Sequence, residues 1–193
     1  VEVSAAAASA VAAAALEAAA PRGDAEWRRC AGFGIFPRPG GSRTAGSAGP
    51  AAPAPNGIAL PADYKNWRLI APSHRTDNNT LRAVLGNDAA IAAARAGKTN
   101  PWPDGAILAK VVWKDATHPN WEKATVPGAF VHAEFMIKDA KKYAATGGWG
   151  YARWLGADQK PYGKDAAFAQ ECVACHTPVK ANDYVFTHPA ALP

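Results

Sequence analysis

The 193-residue chain has only three cysteines and a single methionine. It also lacks any block of five or six like charges, because its 21 basic side chains are interleaved with 16 acidic ones. The formal net charge of +5 therefore forms no stripe of the kind that holds nucleic acid or an anionic membrane, which argues against a nucleic-acid partner. The longest uninterrupted run of small and apolar residues, Ala5 to Leu16, falls short of the roughly 20 needed to span a bilayer. Bulky apolar area is scarcer than the 49% hydrophobic fraction suggests, since about a quarter of the chain is alanine, which buries little area per residue. Nearly all the Trp, Tyr and Phe residues lie after residue 56, and the core is expected there.

Residues 1–55 carry an alanine tract, a short basic piece ending at Cys30, and a Gly/Pro/Ser/Ala stretch from Phe36 to Pro55. This composition buries too little apolar surface to offset the entropy of ordering the backbone, so a low-complexity, disordered segment is expected. The apolar run followed by Ala18, Ala19 and Ala20 has the length of an export signal, but Val1, Glu2 and Val3 provide no basic start. It reads as an incomplete or atypical signal, and Cys30 reads as an idle thiol.

From Asn56 to Pro193 the signals become orderly. Trp67 to Ile70 reads as a strand ended by Pro72, and Leu81 to Leu85 as a second. Asn87 or Asp88 caps a helix through Ala96, with Gly97 as its stop. Ala106 to Lys114 alternates, placing Ile107, Ala109, Val111 and Trp113 on one face and Leu108, Lys110, Val112 and Lys114 on the other. Ala129 to Ile137 alternates likewise, with Phe130, His132, Glu134 and Met136 on its more polar face. Asp139 is expected to cap a short helix through Ala145, Trp149 to Trp154 to form an aromatic strand, and Asp165 to cap a final helix reaching Cys172. The order predicts an α+β fold whose sheet is mainly antiparallel, with a few short helices.

The strongest chemical signal is Cys172-Val173-Ala174-Cys175-His176, because Cys-x-x-Cys-His is the attachment motif of c-type haem. On a helical turn, cysteines three apart face the same way, so both sulfurs can add to the porphyrin's two vinyl groups while His176 ligates the iron. A thioredoxin-like pair would need a βαβ context and a zinc site a second Cys or His pair, and neither is present. Only Thr177 to Pro193 follow the motif, without a methionine, and Met136 lies on a predicted strand where it reads as core. The sixth iron position is therefore expected to be open, which favours ligand binding or catalysis over electron transfer alone.

Several separate segments resemble the cytochrome P-460 family, the group that includes the β-sheet cytochromes c′: Leu60 to Tyr64 with Trp67, Leu81 to Val84, Pro103 to Lys110, Ile137 to Asp139, Gly148 to Gly150, Glu171 to His176 and Asp183 to Thr187. The resemblance runs from Ile58 to Thr187. It implies a mainly antiparallel β domain, commonly a homodimer, with one haem c held by the C-terminal helix. In the family's hydroxylamine-oxidising members a lysine after the Asp-Gly turn is bonded to the haem ring, and Lys110 takes the matching position. Leu108 and Val112 flank it on its own face, so the amine is partly desolvated, which favours the neutral, nucleophilic form.

Arg82 matches a distal arginine that would orient a small nitrogenous ligand. The oxidising members also carry a proton-accepting carboxylate, for which Glu134 and Asp165 both suit the spacing. His132 and Glu134 alone, at i and i+2, read as a solvated face, and His74 and His118 as surface histidines. The implied protein is a periplasmic monohaem cytochrome that oxidises hydroxylamine or a similar small nitrogen compound and passes electrons to a small soluble redox partner. The alternative is a non-catalytic haem module that binds nitric oxide or carries single electrons. Export is implied by the chemistry, because haem is attached to this motif outside the bacterial cytoplasm.

Overall fold

The computed structural model describes residues 49–191. The alanine tract, the signal-like run and Cys30 lie outside the described residues. Six strands form one sheet in chain order, each antiparallel to the next: β1 (Arg68–Arg75), β2 (Thr80–Gly86), β3 (Ile107–His118), β4 (Trp121–Lys138), β5 (Trp149–Leu155) and β6 (Lys160–Pro161). Helix α1 (Asp88–Arg95) links β2 to β3, and helix α2 (Ala169–His176) follows β6 near the C-terminal end. The fold is the expected α+β class with an antiparallel sheet.

Strand register turns the period-2 alternation into two chemically different faces. On one, Ala109 and Val111 of β3 lie opposite Phe135 and Ala133 of β4, which in turn lie opposite Ala152 and Trp154 of β5. This face is closed by the 3-10 turn Tyr64–Asn66 and by Trp67, whose rings stand edge-on to Phe135 at 5.2 Å for Tyr64 and 6.5 Å for Trp67. Residues 49–55 belong to the same unit as the sheet: Ala54 is buried beneath it, and Trp154 donates its indole N–H to the Ala52 carbonyl at 2.9 Å. The other face carries Leu108, Lys110 and Val112 opposite Met136, Glu134 and His132, and these opposite Tyr151, Arg153 and Leu155. Its lower end packs on α1 through Ala90, Ile91 and Ala93. The rest stays open to the Cys-x-x-Cys-His motif.

Three expectations need correction. Pro72 does not end the first strand, because β1 is an edge strand, where a missing backbone N–H is tolerated, and pairing runs on to Arg75. The third and fourth strands are longer than alternation indicated, extending as a two-stranded arm in which Asp115 pairs with Pro127 and Thr117 with Thr125. The register is irregular at Trp113 and between Thr117 and His118. Finally, Asp139 caps no α-helix. Its carboxylate accepts the Lys141 and Lys142 N–H groups in a turn, and only the 3-10 segment Ala144–Thr146 follows.

Asn87 is the cap of α1, and it does more than cap. Its side-chain oxygen accepts both the Ala90 and Ile107 N–H groups at 3.0 Å, while its amide donates to the Gly105 carbonyl at 2.8 Å. It thereby fastens the helix start to the beginning of β3, the strand that carries Lys110. Asn87→Ala is expected to cost about 1–2 kcal/mol, seen as a lowered urea midpoint with an unchanged slope. Asn87→Asp, which keeps the acceptor, should recover part of that loss.

Candidate functional site

Helix α2 opens on the polar face of the sheet. Buried Phe168 at its start packs edge-on to Tyr162, and the Tyr162 hydroxyl donates to Glu171 at 2.9 Å. The anchored helix closes a cavity of about 700 Å³ between itself and the sheet, within the usual range for ligand pockets. Cys172, Cys175 and His176 line it together with Arg82, Lys110 and Glu134. Both thiols are free, Cys172 half-buried and Cys175 exposed.

His176 is held by backbone rather than by another side chain. Its Nδ1 donates to the Tyr184 carbonyl at 2.6 Å, which fixes the tautomer and leaves Nε2 with a free lone pair. Burial pushes the imidazole below its ordinary value, against the opposing pull of that hydrogen bond, so the ring is neutral as a metal ligand must be. Tyr151 and Phe186 pack around it with ring centroids 5.3 and 5.2 Å away. The carbonyl is delivered by an unusual turn in which Asp183 (φ 49°) and Tyr184 (φ 64°) are both left-handed, at about 1–2 kcal/mol each for non-glycine residues. Gly147 (φ 71°) accommodates the turn, since any Cβ there would collide with the Tyr184 ring.

On the sheet side the polar residues form one charged cluster. Lys110 and Arg153 both ion-pair with Glu134, from the strands on either side of it. Arg153 Nε lies 2.6 Å from Glu134 Oε1, but its N–H does not point along the contact, so the attraction is ionic without a formed hydrogen bond. His132 Nε2 stands 3.5 Å from the same oxygen. Burial would raise the Glu134 carboxyl, but the Lys110 ammonium and Arg153 guanidinium outweigh it and hold the group below the usual carboxylate range. His132 is pushed down by burial, with Glu134 pulling the other way. Arg82 is likewise lowered, by burial and then by Arg75.

The structure thus brings Cys172, Cys175, His176, Lys110 and Arg82 to one cavity. Of the two carboxylates suited by spacing, Glu134 lines the cavity, whereas Asp165 accepts the Ala167 N–H at 2.9 Å as a helix cap. His132 and Glu134 do not form a solvated face: cross-strand neighbours supply the partners that i and i+2 spacing alone could not reveal. Lys110 is less apolar in its surroundings than Leu108 and Val112 imply, because Glu134 lies directly opposite it. Met136 both packs against the core and lines the cavity. His74 is exposed as expected and meets Asp115 at 2.6 Å. Arg153 was missed, although the period-2 pattern of Trp149 to Trp154 puts it on the same face as Tyr151.

These residues fit a haem c. Two thiols one helical turn apart and a neutral imidazole with a free Nε2 lone pair open on the same cavity, the donor set that a c-type haem requires. Fold and site together define a c-type haem protein. The family model described as Cytochrome P460 matches residues 61–187, about two thirds of the chain, and the chain belongs to that family. Haem c binding, with a small ligand at the iron, follows from membership. A search of curated proteins finds no match. No helix among the described residues is long and apolar enough to cross a membrane.

Proposed function

We propose that the protein is an exported, periplasmic monohaem cytochrome that oxidises hydroxylamine or a similarly small nitrogen compound. One haem is attached through thioethers to Cys172 and Cys175, with His176 as the iron ligand. The haem supplies an iron that holds a small ligand and takes up its electrons singly. The observation that carries the reading is Glu134, a carboxylate on the cavity wall held in its ionised form by Lys110 and Arg153. Oxidising a hydroxylamine releases protons as well as electrons, and Glu134 is a base able to accept them. Arg82, a cation on the cavity wall, orients the ligand. Electrons leave to a small soluble redox partner, and homodimerisation is proposed from the family resemblance.

One observation favours the second reading, a module that binds nitric oxide or carries electrons. Lys110 is ion-paired with Glu134, and a paired ammonium is a poor nucleophile for bonding to the haem ring. The two readings separate in the absorption spectrum of the ferrous protein, native and denatured in alkaline pyridine, beside Lys110→Ala. A red-shifted spectrum that survives denaturation and reverts in the variant is the expected result. An ordinary haemochrome in both proteins would overturn the ring-bonded lysine and transfer the assignment to gas binding or electron transfer.

A further inference from the structure

Lys138 and Asp183 form a buried ion pair outside the cavity wall, with side chains 6% and 9% exposed. Lys138 Nζ donates to Asp183 Oδ1 at 2.7 Å and to Oδ2 at 2.9 Å. A buried pair of this kind is weak grounds for stability, because its desolvation opposes the attraction and apolar replacements are often neutral. Its placement suggests a geometric role instead.

Asp183 is the first residue of the left-handed turn that presents the Tyr184 carbonyl to His176. It is gripped at both ends: Oδ2 accepts the Trp102 N–H at 2.8 Å, and its own carbonyl accepts the Trp149 indole N–H at 2.8 Å. Lys138 is the last residue of β4, and Trp149 the first of β5. The sheet end therefore holds the peptide immediately before Tyr184, whose own N–H bonds only locally, to the Val179 carbonyl at 3.1 Å. Release of Asp183 would let the strained turn relax and swing the Tyr184 carbonyl away from Nδ1.

We propose that the Lys138–Asp183 pair is a positioning device for His176, locking the turn whose carbonyl orients the imidazole and strengthens it as an iron donor. The proposal rests on the haem reading above. A carbonyl bonded at Nδ1 makes the imidazole more electron-rich, which favours ferric iron, and partners of this kind tune metal sites about 10- to 100-fold. The test is the midpoint potential of the haem-loaded protein. In Lys138→Met/Asp183→Asn, both buried charges are removed together, and asparagine keeps an acceptor for Trp102 and tolerates the left-handed backbone.

The expected result is about a tenfold shift toward the ferrous form, which for one electron is a rise of about 59 mV. Tyr64→Ala, a destabilised control in the aromatic cluster on the opposite face of the sheet, should keep the wild-type potential. If the double variant does not fold, Trp149→Phe carries the test by deleting the bond to the Asp183 carbonyl while leaving a smaller ring beneath Lys138, with a shift in the same direction expected. A folded, haem-loaded double variant with the wild-type potential would overturn the proposal while leaving the haem reading intact. Wild-type protein that carries no haem would overturn both, and the wild-type spectrum alone tells these failures apart.

Discussion

Glu134→Gln is expected to retain its haem and to lose about 100- to 10,000-fold in turnover with hydroxylamine, the range for removing a positioned general base. Glutamine keeps the volume and an acceptor oxygen, so the loss reports the missing proton acceptor rather than a collapsed cavity. The pH profile adds a second, independent signature. Because burial is outweighed by Lys110 and Arg153, the carboxyl titrates below its ordinary value, and the base form persists into acid. Activity should fall only below the ordinary carboxylate range, with no Glu134-dependent limb near neutrality. Arg153→Ala removes a cation that pairs with Glu134 and is not expected to bond the haem, so its acid limb should move upward. An unchanged rate in Glu134→Gln would exclude the carboxylate as the base.

The same depressed carboxyl makes a stability prediction of definite sign. Its folded-state value lies below that of the unfolded chain, so the Glu134 cluster stabilises the fold fully above the unfolded carboxylate range. That contribution is lost as the pH falls through the folded value. In Glu134→Gln this part of the acid dependence should vanish from the unfolding free energy measured across the same window.

Much of this site was legible because alternation along a strand is a strictly local signal. Lys110 and Glu134 were each assigned to the face they occupy, and the Cys-x-x-Cys-His spacing placed both thiols and His176 on one turn of α2, which lines the cavity. Register was not legible: nothing along the chain says that Lys110 lies opposite Glu134, or that Arg153 lies opposite Glu134 on its other side. A lysine that reads as partly apolar thus turns out to sit in an ionic row. The Tyr184 carbonyl escaped notice for a deeper reason, since any residue supplies a carbonyl and only the left-handed turn aims this one at His176. Pro72 and the segment after Asp139 failed in opposite directions. An edge strand has no use for the N–H that proline lacks, whereas a helix too short to repay its nucleation was outcompeted by the Asp139 side chain in a turn.

Phe135→Ala should be the most damaging single change to the scaffold, and it should leave the haem signature of the surviving folded protein unaltered. Phe135 is 1% exposed and is the ring on which Tyr64, Trp67 and Trp154 converge edge-on, the last at 5.4 Å. Truncation removes that shared contact and leaves a cavity that the large neighbouring rings cannot fill, for an expected loss of about 3–5 kcal/mol. Against the 5–15 kcal/mol typical of native proteins this is a large fraction, and it should appear as a lower denaturant midpoint at constant slope. Although Phe135 contributes to the cavity lining, its ring packs into the aromatic cluster with Tyr64, Trp67 and Trp154, while Glu134 and Met136 project to the other face from either side of it. Because the strand's two faces do separate work, the ferrous spectrum and midpoint potential should stay at wild-type values wherever the variant remains folded. A shifted potential at unchanged stability would show instead that the aromatic face bears directly on the haem.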